Sequence, residues 1–414
     1  MSIKESDMNR VKVTQENVDH SFQFTDAIVN NFPRRLAGSE SCFRAGRAIE
    51  EEFKKTCDKG SVKTEEFIFH PKAFLKYIRF AVVVYLASIA LVFFHKPVIA
   101  LLLLSMVTSL FVSQFVFYWQ VFDPFFPKAK GLNVYGSIEP EKDVRQQIIL
   151  CGHHDAAYVF HYFNFSPKLY PLFIVAGIAP FFISILFVII MTIYSINPLW
   201  MTVIMAAMSV GVIPLWFFTT DAVSPAAGDN MIAVALANEV SKIFHNLKKQ
   251  KKNPLQHTKL ICLTVDAEEN GLRGSKYFAR THKKEMTDTK TYVFCLDTLY
   301  KADKLIFFNN DLNFTVDLSD PMANELKDIA TSFGYGARVT RMPWGGGSTD
   351  AASFGQQGIE ATCLLAFEID ITKLENDMVY HTPKDFSSAI EPRCVEQALN
   401  VIVEYVMKKD SEVL

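Results

Sequence analysis

The hydrophobic positions of this chain are concentrated in two long stretches. Residues 80–122 contain a single charged side chain, that of Lys96, and residues 169–220 contain no Asp, Glu, Lys or Arg. Because a helix needs about 20 apolar residues to cross the hydrocarbon core of a membrane, each stretch is long enough for two spans. Polar breaks at residues 95–97 and 195–198 divide each stretch in two. The pattern therefore predicts two transmembrane hairpins rather than pairs of buried core helices, with helices at residues 80–94, 97–122, 171–194 and 199–220.

Basic residues flank the two stretches on the side of the larger hydrophilic segments. The two turns carry only Lys96, whereas the flanks carry Lys72, Lys76, Arg79, Lys128, Lys130 and Lys168. Since Lys and Arg are enriched on the cytoplasmic side of transmembrane helices, we expect an integral, multi-pass membrane protein with its hydrophilic domain and both termini in the cytoplasm. Residues 1–32 do not have the pattern of a signal peptide, and seven scattered cysteines are typical of a reducing compartment.

Outside the hairpins, the spacing of apolar residues alternates between that of strands and that of helices. Strands are predicted at residues 62–69, 132–138, 147–151, 260–265, 292–296 and 362–367. Helices are predicted at residues 39–56, 229–247, 271–280, 321–333 and 392–407. This alternation is typical of an α/β fold with a mostly parallel sheet. The hydrophilic domain is thus divided into residues 1–79, 123–168 and 221–414, with the hairpins inserted at residues 80–122 and 169–220.

The composition excludes several classes of protein. Of the 414 residues, 50% are hydrophobic and 21% are charged, the net charge is −2 and the mean hydropathy is +0.15. The chain is too apolar to be disordered and too neutral to bind nucleic acid through a broad basic face. All but one of the charged residues lie outside the two apolar stretches, so the remainder has the charge content of an ordinary soluble domain.

Residues with metal-binding side chains follow the predicted strands. His153, His154 and Asp155 end the strand that begins near residue 147. Because residues i and i+2 of a strand share a face, His153 and Asp155 can face the same way while His154 faces the opposite way. A carboxylate beside a metal-bound imidazole fixes its tautomer. A solvent-exposed His-His-Asp string is the alternative interpretation.

Two further acidic motifs occur at junctions between elements. Asp229 stands at the start of a predicted helix, where it is either an N-cap or a carboxylate that bridges two metal ions. Glu268 and Glu269 follow the buried strand at residues 260–265, at the end of a strand where α/β enzymes place their active sites. One of these carboxylates can bind a metal while its neighbour acts as a general base. The alternative is a first helical turn enriched in acids.

Asp297 and His381 complete the set of candidate ligands. Asp297 follows another buried strand, and His381 lies in a loop before the last predicted helix. Each motif has an ordinary structural explanation by itself. Together, two histidines and several carboxylates form a donor set that suits two divalent metals with nitrogen and oxygen ligands, of which zinc is the expected one.

These motifs, in this order, resemble those of the M28 family of co-catalytic dizinc peptidases, most of which are aminopeptidases. The matching strings are G-H-H-D (152–155), G-D-N (228–230), A-E-E-N-G-L-R-G-S (267–275), L-D (296–297) and Y-H-T-P (380–383). The resemblance covers the hydrophilic chain from Arg34 onward. It implies a three-layer α/β/α sandwich with a mostly parallel mixed sheet, into which this chain inserts two hairpins that ordinary secreted members lack.

The resemblance implies roles for individual residues. The implied ligands of two Zn²⁺ ions are His153 and Asp297 for one ion, Glu269 and His381 for the other, and Asp229 as the bridge. Other divalent metals are alternatives. Asp155 would orient His153, and Glu268 would be the general base that takes a proton from a metal-bound water and passes it to the departing amine. The implied substrates are peptides that enter by their free N-terminus.

Tyr380 and Asp350 are the expected substrate-binding residues. Tyr380 precedes His381 in the Y-H-T-P string, and Asp350 lies in the loop where the family often has S-D-H but this chain has S-T-D. Only residues 221–228 separate the second hairpin from Asp229. Eight residues span at most about 28 Å, so we expect the metal site close to the membrane surface and peptides held at, or released from, the bilayer as substrates.

Three other functions remain open from the sequence. The glutaminyl cyclases share the implied fold and use one zinc ion. A carboxypeptidase would need a cation for the substrate carboxylate, for which Arg273 and Arg341 are candidates. A membrane receptor or transporter with a degenerate peptidase domain is a third alternative, although transport paths usually need ionisable residues that these spans lack. The oligomeric state is not determined by the sequence.

Overall fold

A mixed sheet of nine strands forms the centre of the hydrophilic domain. The computed structural model describes residues 11–370 and 378–414, so the first ten residues of the predicted N-terminal segment and seven residues of the last segment lie outside the described residues. The strands are β1 (Lys63–Phe69), β2 (Ala129–Ile138), β3 (Gln146–His153), β4 (Tyr158–Phe160), β5 (Thr219–Val223), β6 (Thr258–Val265), β7 (Lys290–Leu299), β8 (Leu305–Asp311), β9 (Val316–Asp317), β10 (Ala337–Arg341) and β11 (Glu360–Ala366).

Helices surround the sheet and form a separate bundle. They are α1 (Gln15–Asn31), α2 (Glu40–Thr56), α3 (Tyr77–Phe93), α4 (Pro97–Phe111), α5 (His161–Phe165), α6 (Tyr170–Tyr194), α7 (Leu199–Val212), α8 (Ile232–Lys249), α9 (Arg273–Thr281), α10 (Lys283–Asp288), α11 (Asp320–Ser332), α12 (Asp350–Gly355) and α13 (Pro392–Ser411). All predicted strands and helices of the hydrophilic domain are present, with ends shifted by a few residues.

The strand order of the sheet brings the ends of three strands together. The order is β1-β2-β6-β3-β7-β11-β8-β10, with β9 paired to β8, and β4 and β5 form a separate pair. The central strands β6, β3, β7 and β11 are parallel, whereas β1, β2 and β8 pair antiparallel with their neighbours β2, β6 and β11. The carboxyl ends of β3, β6 and β7 therefore meet at one edge, which is where the candidate site lies.

Both faces of the sheet are covered, as the α/β fold prediction requires. In β3, Ile148 and Leu150 belong to a core shared with α1, α2, α8, α11 and α13. The alternate residues Ile149 and Cys151 belong to a second core shared with α9, α10 and α12. A strand buried on both faces has an almost continuous apolar sequence, which explains why β3, β6 and β7 were recognisable from the sequence.

The apolar stretches form four helices, α3, α4, α6 and α7, which we call the apolar bundle. Three of them, with the short turns that extend α4 and α7, are long and apolar enough to cross a membrane: Pro97–Val116, Tyr170–Tyr194 and Leu199–Phe217. The fourth, α3, has 17 residues. Tyr85, Leu104 and Met205 are fully buried between the helices, while many other apolar residues of the bundle are exposed.

Several predicted boundaries were wrong for local reasons. The helix predicted at residues 199–220 leaves α-helical geometry at Ile213, because Pro214 has no N–H for the helical ladder. The helix predicted at residues 97–122 is α-helical only as far as Phe111, and one wider, π-helical turn follows it at Val112–Val116. The helix predicted to start at Asp229 starts at Ile232. Helix α1 was not predicted, since its sequence is largely polar.

Candidate metal centre

The ends of parallel strands position most of the candidate ligands. His153 is the last residue of β3 and pairs with Val265 at the end of β6, three residues before Glu268. Asp297 lies near the end of β7, on the other side of β3. His381 comes from the loop before α13. Residues that are more than 200 positions apart in the sequence thus meet at one edge of the sheet.

The carboxylate of Asp229 lies between the two histidines. Its Oδ1 is 3.3 Å from Nε2 of His153, and its Oδ2 is 2.9 Å from Nε2 of His381. Asp229 has extended, non-helical backbone angles, and the Asp229–Asn230 peptide bond is cis. Helix α8 begins three residues later without a side-chain cap, so the alternative interpretation of Asp229 as an N-cap was wrong.

The two adjacent glutamates face different histidines. Oε1 of Glu269 is 3.1 Å from Nε2 of His381, whereas Oε2 of Glu268 is 3.9 Å from Nε2 of His153. Ligand atoms of His153, Asp229 and Glu269 lie within 4.8 Å of one another. The alternative interpretation of the glutamates as acids of a first helical turn was also wrong, since α9 begins only at Arg273.

Asp155 connects His153 to the glutamates. Its Oδ1 is 3.4 Å from Nδ1 of His153. Its two oxygens accept the backbone N–H groups of Glu268 and Glu269, each at 3.1 Å. Asp155 is fully buried, as are His153 and His154, so the solvent-exposed interpretation of this string was wrong. One carboxylate therefore fixes the orientation of an imidazole and the positions of two further carboxylates.

His154 faces away from the centre, as the strand alternation predicted. Its Nδ1 lies 2.9 Å from the Thr264 hydroxyl, and burial lowers its pKa to about 4. With Cys42 and Asp266 it forms a second buried group whose ligand atoms lie within 4.8 Å of one another. The Cys42 thiol donates to Asp266 at 3.3 Å, so these two side chains satisfy each other.

Asp297 is buried beside the group but lies outside its set of closest ligand atoms. Its Oδ1 accepts the Thr298 hydroxyl at 2.7 Å. Burial, together with repulsion from Asp229, raises the pKa of Asp297 to about 8. The ionised carboxylate of Asp297 is therefore unstable by itself, and a cation beside it would stabilise it strongly.

Tyr380 and Asp350 both lie at this centre. The Tyr380 ring stacks on the His381 ring, with centroids 4.0 Å apart and planes 19° apart. Asp350 begins α12 with its carboxylate buried, and its Oδ1 has no hydrogen bond within the described parts of the chain. Burial raises the pKa of Asp350 to about 6, and the neighbouring His153 opposes that rise. An unpaired buried oxygen is available to a substrate group.

Two residues at the centre were missed by sequence reasoning. Asp385 accepts the backbone N–H groups of Gly228 at 2.8 Å and Asp229 at 3.3 Å. Arg35 is almost fully buried, and it donates to the carbonyl oxygens of His154, Pro225 and Ala226. The only sequence signal for Asp385 was its position four residues after His381. Arg35 gave no such signal, because its partners are backbone groups and most of them are distant in sequence.

The donor set fits zinc. Nε2 of His153 and Oδ2 of Asp229 are buried and lie close to Asp229 Oδ1 and His381 Nε2, respectively, but within residues 11–370 and 378–414 neither atom makes a contact with hydrogen-bond geometry. Unpaired buried polar atoms are costly unless something else satisfies them. Imidazole nitrogens and carboxylate oxygens that converge on one point are the ligands that zinc takes in catalytic sites.

The two arginines considered as partners of a substrate carboxylate lie elsewhere. The Arg273 guanidinium is 3.0 Å from Oδ1 of Asp123 and 3.0 Å from Oε1 of Gln114, and it is buried in these contacts. Arg341 is exposed on the edge strand β10. Because Arg273 is already paired, the carboxypeptidase alternative loses its best candidate.

Comparison with solved structures finds proteins of similar fold. A Zn-dependent exopeptidase from Parabacteroides distasonis has a TM-score of 0.56 and 14% identity, and the alignment covers 95% of this chain and 99% of the other. A glutaminyl cyclase from an Acidobacteriales bacterium has a TM-score of 0.55 and 15% identity, with 97% of each chain covered. A leucine aminopeptidase precursor from Bacteroides thetaiotaomicron has a TM-score of 0.53 and 12% identity, with 96% of this chain and 98% of the other covered. At these identities the likeness concerns the fold. A comparison with curated proteins found no match.

A family model matches a large part of the chain. The model of peptidase family M28 matches residues 209–406, which include Asp229, Glu268, Glu269, Asp297 and His381. His153 and Asp155 precede the matched region, and the tertiary structure brings them to it. Residues 209–406 therefore match the model of peptidase family M28, and the fold of the chain is similar to those of a Zn-dependent exopeptidase and a leucine aminopeptidase precursor.

Proposed function

We propose that this protein is a membrane-embedded dizinc aminopeptidase that hydrolyses the N-terminal residues of peptides near the membrane surface. The observation that carries the proposal is the position of Asp229. Each of its carboxylate oxygens faces a different imidazole, at 3.3 Å from His153 and 2.9 Å from His381. A carboxylate in this position can bridge two metal ions, whereas a site for one ion needs no such bridge.

The five candidate ligands divide into two sets around Asp229. His153 and Asp297 would hold one zinc ion, and Glu269 and His381 would hold the other. Asp229 would be a ligand of both ions. Zinc bound in this way supplies an activated water and polarises the scissile carbonyl group. Asp155 keeps Nδ1 of His153 in contact with a carboxylate, so that Nε2 is the nitrogen free to bind a metal.

Glu268 is the proposed general base. Its Oε2 lies 3.9 Å from Nε2 of His153, next to the proposed position of the metals, and Asp155 holds its backbone N–H. Glu268 would accept the proton of the attacking water and deliver it to the departing amine. Tyr380 and Asp350 would contact the substrate, with Asp350 offering its unpaired Oδ1 to the free amine of the peptide.

The second hairpin supports a location at the membrane surface. Strands β4 and β5 pair with each other where the chain leaves for α6 and returns from α7. The backbone N–H of Phe160, at the end of β4, donates to the carbonyl oxygen of His381 at 3.2 Å. The Phe160 ring lies 4.4 Å from the His381 ring. The base of a proposed transmembrane hairpin thus contacts a proposed metal ligand.

We further propose that all four helices of the apolar bundle lie in the bilayer. The 17 residues of α3 are at the short end of the range for a span, and Arg79 in its first turn can extend its guanidinium towards the interface. Its Nε donates to the carbonyl oxygen of Trp216, at the end of the second hairpin. The basic flanks favour a cytoplasmic hydrophilic domain and cytoplasmic termini.

Peptide digestion by the full chain in phospholipid nanodiscs, loaded with zinc, tests the proposal. We expect release of the first residue from peptides with a free N-terminus, and none from the same peptides after N-acetylation. Glu268→Gln and a chelator should each abolish release, and lipid-tethered peptides should be cut faster than soluble ones. Uncut free peptides in the presence of two bound zinc ions would rule out an aminopeptidase, and equal rates for tethered and soluble peptides would rule out the membrane-surface substrate.

A glutaminyl cyclase is the second candidate, because one of the similar folds is that of a glutaminyl cyclase aligned over 97% of each chain. Peptides that begin with Gln separate the two activities. An aminopeptidase releases free glutamine. A cyclase leaves a peptide of the same length whose mass is lower by one ammonia and whose N-terminus is blocked. Measured metal content gives a second criterion, since a cyclase of this kind would bind one zinc ion per chain.

A further inference from the structure

The apolar bundle encloses a cavity of about 60 Å³ at its end nearest the hydrophilic domain. The lining residues come from the start of α3, the first half of α6, the end of α4 and the segment that follows α7, and these parts lie towards the ends joined to that domain. They include Tyr77, Ile78, Phe111, Ile174, Leu215 and Phe218. The cavity therefore lies close to the membrane surface that faces the metal centre, and not at the middle of the bundle.

The lining of this cavity is suited to a hydrocarbon group. All the lining side chains are aliphatic or aromatic except Thr108, and none is charged. A water molecule needs only about 10–15 Å³ of such space, but it also needs two to four polar partners. Thr108 Oγ1 is buried without a hydrogen-bond partner in the described residues, but this single hydroxyl is too few partners for water, so the cavity is better suited to an apolar group.

Two aromatic rings, those of Phe218 and Phe160, lie between the cavity and the metal centre. Phe218 lines the cavity, and its ring lies 4.9 Å from that of Phe160. Phe160 in turn lies 4.4 Å from the ring of His381. Two ring contacts correspond to roughly 10 Å, a distance that about three residues of extended peptide cover at ~3.3–3.6 Å each.

We propose that this cavity binds an apolar side chain of the substrate, two or three residues beyond the bond that is cut. The substrates would then be peptides whose N-terminal residue is followed by apolar sequence that lies in the bilayer. This inference rests on the proposed aminopeptidase activity and deepens it by naming the substrate class. We favour a substrate side chain over a lipid acyl chain because Phe218, which lines the cavity, is only two ring contacts from His381.

Two peptide sets and two variants test this inference. The peptides share a free N-terminal Ala and differ in their next three residues, which are Leu in one set and Ser in the other. Ala81 lines the cavity, and Ala81→Leu fills it. Ala90 lies on the same helix α3 but is exposed, so Ala90→Leu is the matched control. Full-length variants in zinc-loaded nanodiscs are compared by kcat/KM, with native mass spectrometry for retained lipid.

The expected result is a preference for the Leu peptide of about tenfold or more in kcat/KM, as one apolar group in a fitted pocket produces. Ala81→Leu should reduce this ratio at least about fivefold through a higher KM, on the same scale of pocket energies, while Ala90→Leu keeps it. A ratio in Ala81→Leu that equals that of the wild type would overturn the inference. It would also be overturned if the wild type showed no preference for the Leu peptide and retained a lipid that Ala81→Leu does not retain. If neither peptide is cut, the proposed function itself fails, which separates the two outcomes.

Discussion

Asp385 accepts the backbone N–H of Asp229 at 3.3 Å, and that of Gly228 at 2.8 Å, from a position 156 residues later in the sequence. Asp385 thus holds the main chain of the residue that lies between the two histidines. Because its own side chain points at backbone groups, we regard it as a positioning residue rather than a metal ligand. Burial raises the pKa of Asp385 to about 7, because the ionised carboxylate is less stable there than in water.

Asp385→Asn should weaken zinc binding about 10- to 100-fold, as loss of a group that orients a ligand does. The Asn side chain has only one acceptor oxygen, and its amide would face a backbone N–H donor. Zinc affinity measured against a competing chelator gives the effect, and Asp328→Asn on the exposed surface of α11 is the control. Equal affinities for the two variants would contradict the positioning role.

Glu268→Gln should lower kcat about 10²- to 10⁴-fold, because a positioned general base contributes that much. The amide cannot accept the proton, but it has the same shape, so zinc content and the melting temperature should stay the same. Steady-state kinetics with metal analysis on the same sample is the measurement. Glu396→Gln, an exposed change on α13, is the control. A Glu268→Gln enzyme within tenfold of wild type would eliminate Glu268 as the base.

His381→Ala should reduce bound zinc from two ions to one per chain. His381 and Glu269 are the two proposed ligands of one ion, at 3.1 Å from each other, and the bridge from Asp229 alone would not hold it. Metal analysis after dialysis measures the loss, with exposed His161→Ala as the comparison. If His381→Ala retains two ions, the proposed ligand set is incorrect.

Arg273→Ala should lower the free energy of unfolding by about 3–5 kcal/mol, because it leaves the buried carboxylate of Asp123 without its charged partner and with only the Gln114 amide as a donor. The pair joins α9 to the segment that follows the first hairpin. Thermal unfolding in nanodiscs measures the change, and exposed Arg280→Ala is the control. The double variant Arg273→Met/Asp123→Leu should recover part of the loss, and no recovery would show that the two residues do not act as a pair.

His282→Gln should destabilise the protein more at pH 5.5 than at pH 8.5. The hydrogen bond of His282 to Glu65, at 2.7 Å, is the main cause that raises the pKa of this histidine above 6.5. Because the pKa of His282 is higher in the folded than in the unfolded state, protonation of His282 stabilises the folded protein at pH values below the unfolded pKa. This contribution is lost as the pH rises through the folded pKa. Unfolding of both proteins across this range is the measurement, and an equal difference at both pH values would contradict the assignment.

The strands and most helices of the hydrophilic domain were predictable because their patterns are local. Strand β3 is buried on both faces, so its apolar run is continuous. Helix α2 begins with a local signal, since the Ser39 side chain accepts the Cys42 N–H as an N-cap. Helix α1 was missed, since it packs only a few apolar residues against α8 and α13. Its burial depends on partners that no local window of sequence contains.

The sequence alone determined two long apolar stretches, an α/β alternation and the order of five metal-site motifs. These properties depend on neighbouring residues, so they are visible in a linear pattern. The tertiary structure decided which acids meet which histidines, that Asp229 lies between His153 and His381, and that Asp385 and Arg35 support them. It alone placed Phe160 beside His381 and the cavity of the apolar bundle two ring contacts away, because only folding brings distant strand ends and helix ends together.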